Sequence, residues 1–143
     1  MSVEVILAKK GRDVVTIGAE RLLSDAIDLL GSRRIGAAVV TDGAGALKGI
    51  LSERDVLRAV ANRGAAALDD TVSDHMTANV VTCGPATSID TLMSLMTDGK
   101  FRHLPVLEEG RLAGLVSIGD LVKHRLAEVE AEHQALRDYI ATA

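Results

Sequence analysis

Two short stretches of this chain carry the same polar triplet at the same spacing. Gly49, Ser52 and Asp55 form one G-x-x-S-x-x-D pattern, and Gly114, Ser117 and Asp120 form the other. Each follows an apolar run (KGIL, AGLV) and precedes a helical pattern, which places the Ser and Asp at a strand-to-helix turn. A Gly in the strand permits close backbone approach. A hydroxyl and free amides at a helix N-terminus suit oxygen-rich anions. A carboxylate one turn along can accept from both hydroxyls of a ribose. Ser and Asp also cap helices without any ligand; finding two pairs in register with matching glycines favours binding over capping alone.

The elements that position these triplets are themselves repeated. VVTIGAE (Val14–Glu20) lies over VVTCGPA (Val80–Ala86) at an offset of 66 residues. At that offset SDAIDLL falls over DTLMSLM and IGAAVV over FRHLPV, and LKGILSERDVL matches LAGLVSIGDLV after one deletion. Each copy predicts a β-branched strand (VVT), then an amphipathic helix. The helices present Leu23, Ala26, Ile27 and Leu30, and Ile89, Leu92, Met93 and Met96, with Ser24 and Asp90 near their starts as caps. A Gly-containing hairpin and a second helix follow. The fold class expected is α+β: two tandem β-α-β-β-α repeats packed with pseudo-twofold symmetry, plus a short N-terminal helix and an extended C-terminal one. Units of roughly 50 residues bury too little surface to stand alone, so the two must pack together. The divisions expected are 8–62, 73–128 and a C-terminal extension 129–143. Ala61–Asp74 reads as a plain connection. Val3, Ile6 and Leu7 point inward from a helix leading into the first strand.

The repeated unit, with DHMTANVVT before the second copy, FRHLPV in its middle and GLVSIGD at its end, resembles the CBS domain family. The resemblance runs from about Ala8 to Leu126 and implies a Bateman module, two repeats enclosing two clefts that hold AMP, ADP, ATP, NAD(H) or S-adenosylmethionine. By that likeness Ser52 and Asp55, and Ser117 and Asp120, hold ribose and phosphate. Thr77, Val80 and Val14 line the adenine side. Ile35, Ala37 and Val39, with the stretch from Phe101 to Pro105, supply the remaining wall. Lys100, Arg102 and His103, and Arg33, Arg34 and Arg54, stand where a phosphate tail needs cations. Ile35-Gly36-Ala37-Ala38 lacks the basic pair and Pro of the second repeat, which makes the first cleft the weaker candidate.

Composition narrows the alternatives. One Phe, one Tyr and no Trp leave no stacking platform for single strands, and a net charge of −4 disfavours duplex binding. A single Cys83 forms no internal disulfide, and no run approaches membrane length; the expectation is a cytoplasmic protein. G-x-S-x-G, Walker, H-E-x-x-H and G-x-G-x-x-G motifs are all missing, so no catalytic residue is assigned. His75 and His124 lack partners at metal-ligand spacing, and Lys9 and Lys10 read as solvated. Val122, Leu126, Val129, His133, Leu136 and Ile140 step by four and three, a heptad seam that predicts a homodimer. The function expected is a regulatory adenine-nucleotide sensor with a target protein unnamed by sequence. The alternative is an interaction scaffold whose clefts have degenerated.

Overall fold

The computed structural model describes residues 1–142. In chain order the elements are α1 (Val3–Lys10), β1 (Thr16–Gly18), α2 (Leu23–Arg33), β2 (Ala37–Thr41), β3 (Leu47–Ser52), α3 (Glu53–Arg63), a 3₁₀ segment (Gly64–Asp69), α4 (Val72–His75), α5 (Ile89–Gly99), β4 (His103–Glu108), β5 (Arg111–Ser117) and α6 (Ile118–Thr142). The first repeat is a three-stranded sheet, β1 parallel to β2 and β2 antiparallel to β3. The second keeps only the hairpin β4–β5 as named strands. Its missing third strand survives as a single parallel bridge, Cys83 to Val106, 66 positions on from the Ile17–Val40 pair of the first sheet. The register of the duplication is thus conserved in space.

Strand boundaries differ from the VVT expectation. The first strand is Thr16–Gly18, and Val80–Thr82 forms no strand. β-Branched content marks the neighbourhood, but the partner strand decides which residues find hydrogen bonds: Val15 contributes only its carbonyl, to the Val39 amide. The caps differ as well. Ser88 caps α5, its Oγ accepting from the Thr91 amide at 3.1 Å, and Asp25 accepts from the Leu22 amide at the start of α2; Ser24 and Asp90 lie inside their helices.

Each repeat encloses its own core. Leu23, Ala26 and Leu30 of α2 pack against Ala38, Val40 and Leu51, while Ile89, Leu92 and Met96 of α5 pack against Leu104, Val106 and Val116. Met93, expected on that inner face, stays exposed at the helix margin.

The leading segments are exchanged between repeats. Val3, Ile6 and Leu7 of α1 belong to the second repeat's core, whereas Ala67, Val72 and Met76 belong to the first's. The backbone bonds match in pairs. Val3 N donates to Thr87 O and Glu4 N to Pro85 O; Val72 N donates to Arg21 O and Ser73 N to Ala19 O. So α4 is the counterpart of α1, and α1 docks away from the strand it leads into. Ala61–Asp74 is correspondingly more than a connection. Within it Asp70 accepts from Arg63 at 2.6 and 3.0 Å and lies 2.8 Å from His75 Nε2, fastening α3 to α4.

Candidate nucleotide cleft

The end of β3 delivers Ser52 and Asp55 to the start of α3, where they form a reciprocal capping box. Asp55 N donates to Ser52 Oγ at 3.2 Å, and Asp55 Oδ2 accepts from Ser52 N at 2.9 Å and Ser52 Oγ at 3.0 Å. The other oxygen, Oδ1, meets the Thr77 hydroxyl at 3.4 Å and Arg58 at 3.9 Å. Thr77 is held there by a two-way backbone bridge to Ile50, at 2.9 and 3.0 Å. Gly49 makes that bridge possible, since a Cβ there would stand 2.6 Å from Thr77 O.

A cleft of about 590 Å³ opens over this corner. Gly36, Ile50, Ser52, Glu53, Arg54, Asp55, Leu57 and Arg58 line it from the first repeat, Thr77 from the segment between, and Lys100, Phe101, Arg102 and His103 from the second. Small-molecule sites run from about 300 to 1,000 Å³. Carboxylate and hydroxyl therefore come from one repeat and the cations of the opposite wall from the other. The basic pair absent from Ile35–Ala38 is thus supplied to this cleft by the second repeat. Among the expected residues, Ser52, Arg54, Asp55, Thr77, Lys100, Phe101, Arg102 and His103 meet here.

The remaining expected wall residues lie elsewhere. Ala37, Val39 and Pro105 are buried on strands whose alternate residues, Ala38, Val40, Leu104 and Val106, fill the two cores, so their side chains take the opposite sheet faces. Val14, Ile35 and Val80 are half-buried and outside this cleft's lining. Arg34 ends α2 in the left-handed region, and neither it nor Arg33 lines the cleft. Glu53 and Arg58 are lining residues that sequence reading left unassigned, although the signal was there, one helical turn around Asp55.

His103 stands between the two halves. A side chain at Gly36 would lie 3.7 Å from its Cε1. Burial, and then the nearby Lys10 cation, lower its pKa below the ordinary 6.5.

Around Asp120 the same capping box recurs, with Ser117 N donating to Asp120 Oδ2 at 2.8 Å and Asp120 N to Ser117 Oγ at 3.2 Å. Here, however, Lys10 Nζ donates to Asp120 Oδ2 at 2.7 Å and to Leu115 O at 2.8 Å. Lys10 is not solvated as expected. Burial pushes the Asp120 carboxyl up, but hydrogen bonds from Lys10 and Ser117 carry it below its usual value. The cavity that reaches Asp120 measures about 170 Å³ and is lined by Lys9, Lys10, Lys123 and His124. His75 and His124 each have one carboxylate neighbour, Asp70 at 2.8 Å and Glu128 at 2.7 Å.

The CBS domain family model matches residues 10–62 and 72–127. The chain belongs to the CBS domain family. Among CBS-domain relatives, the mitochondrial protein CBSX3 of Arabidopsis thaliana is 38% identical over 120 residues, 81% of this chain and 58% of its own length. The chain thus spans under two thirds of that curated relative. A CBS-domain protein from Agrobacterium tumefaciens is 52% identical, with a TM-score of 0.85 covering 87% of this chain and 92% of that one. A more distant CBS domain pair, 22% identical at a TM-score of 0.80 over 90% of this chain and 98% of that one, was solved with 5′-methylthioadenosine and S-adenosyl-L-methionine. Among the described residues no helix is long and apolar enough to cross a membrane.

Proposed function

We propose that this CBS pair is a regulatory module that binds an adenosine-containing ligand, of the AMP, ATP or NAD(H) type, in the cleft over Asp55. One observation carries the reading: a capped carboxylate and hydroxyl from one repeat face Lys100, Arg102 and His103 from the other across about 590 Å³. Ribose hydroxyls would donate to Asp55 and a phosphate would accept from the basic wall, so the ligand bridges both repeats. The distant pair solved with two adenosine compounds is consistent with that ligand class. A ligand that touches both repeats binds one relative orientation better than another, which is the physical requirement for signalling. The target of that signal is a partner protein, and the setting is cytoplasmic.

Thermal melts with millimolar AMP, ATP and NADH test this directly, because a ligand that binds only the native state raises its Tm. Asp55→Ala combined with Asp120→Ala is expected to abolish the rise. Wild-type chain that gains nothing from any of the three, or a double variant that gains as much as wild type, refutes the reading.

The interaction role has its own support in α6. Val122, Leu126, Val129, Leu136 and Ile140 are 46–65% exposed along one stripe, and nothing among the described residues folds back over them. The heptad steps fit a second copy of the same helix, so the module pairs as a homodimer.

A further inference from the structure

The two capped carboxylates have unequal partners. Asp55 is met by neutral donors at close range and by Arg58 only at 3.9 Å. Asp120 is already neutralised by Lys10, which also donates to Leu115 O. In the first half a main-chain bridge from Thr77 satisfies the equivalent strand, at Ile50; in the second a side-chain cation reaches the strand instead. A ribose that takes over the Asp120 carboxylate must therefore release an ammonium ion. Beyond it the cavity is lined by Lys9, Lys10 and Lys123 against the single carboxylate of Asp120, with His124 behind and paired to Glu128. Among the described residues that line this cavity, Asp120 is the one carboxylate open to the released cation.

We propose that Lys10 makes the second cleft selective for ligands that carry their own anion, so that a nucleotide enters where the uncharged nucleoside does not. The exchange is a swap of counter-ions: ribose hydroxyls replace Lys10 on Asp120, and a ligand phosphate replaces Asp120 on Lys10. With AMP both Asp120 and Lys10 regain a charge-assisted partner, whereas adenosine satisfies Asp120 alone and leaves the Lys10 ammonium without an anion. This inference rests on the adenosine-ligand reading of the fold's clefts and extends it to the second one.

Calorimetric titration of the Asp55→Ala chain, in which the first cleft is disabled, separates the ligands. AMP is expected to bind at least about tenfold more tightly than adenosine. Adding Lys10→Met should shrink that ratio to within about threefold, with adenosine binding more tightly than before. Lys10→Arg, which keeps the cation, guards against a folding artefact and should retain the preference for AMP. An unchanged ratio in Lys10→Met, or an Asp55→Ala chain that binds neither ligand while wild type binds AMP, overturns this inference alone. Wild type that binds neither overturns the nucleotide reading itself. The resting pair has a readout that needs no nucleotide. Reductive methylation followed by mass spectrometry should modify Lys10 more slowly than Lys9, with the protection lost in Asp120→Asn; equal rates in the wild-type chain sink the proposal.

Discussion

The Asp55 carboxylate divides its work between its two oxygens. Oδ2 closes the cap of α3, while Oδ1 faces Thr77 and the cleft. Cap and ligand contributions can therefore be separated by substitution. Asp55→Asn keeps an acceptor for the Ser52 amide and should cost little stability, yet weaken AMP about tenfold in a calorimetric titration. Asp55→Ala should add a cap loss of about 1 kcal/mol in urea melts. The acid limb of stability depends on Asp70. Hydrogen bonds from Arg63 and then His75 hold its carboxyl below the ordinary 3.8. Its folded value lies under its unfolded one, so its contribution is complete above about pH 4 and vanishes as the pH falls through the folded value. Asp70→Asn should flatten the decline of Tm on acidification in that range. Cys83 is the opposite case: burial raises its thiol to about 11. Iodoacetamide at pH 8 should leave it unmodified in the native chain and alkylate it once urea is added.

At the scale of elements, the duplication and both G-x-x-S-x-x-D corners were legible because they are local patterns in which spacing alone places the residues. What stayed hidden was everything decided by the partner repeat. Nothing within MSVEVILAKKG says that Leu7 fills the other repeat's core, and nothing in IGAA says that Arg102 and His103 will face Asp55 across an interface. Lys10 looked like any helix-terminal lysine, since its acceptor is 110 positions away. The two glycines of the corners show the same dependence. A Cβ at Gly49 would strike the Thr77 carbonyl at 2.6 Å, while one at Gly114 would strike the movable Leu7 Cδ2 at 2.7 Å. Gly49→Ala should therefore cost about 1–3 kcal/mol in chemical denaturation and widen the cleft, with Gly114→Ala the milder of the two.

For the molecule as a whole, the long reach of α6 matters most. It continues beyond Ala127, where the second family match ends, as a helix whose apolar stripe includes Leu126 and Leu136, 59% and 58% exposed. If that stripe joins two copies, Leu126→Glu with Leu136→Glu should convert a dimer to a monomer in light scattering while leaving the monomer's AMP affinity within about twofold. A wild-type chain that is monomeric at high micromolar concentration rules the seam out.

The exchange of leading helices also decides where this chain can be cut. Severing it at the sequence boundary between copies, just before Thr71, would strand α4 with the wrong fragment and leave α1 covering nothing. Neither piece would hold its shape, and mixing them would be required to rebuild both. Recombination that grafts one copy onto a foreign neighbour meets the same obstacle: a lone copy arrives without the helix that seals it and carries one meant for a sibling left behind.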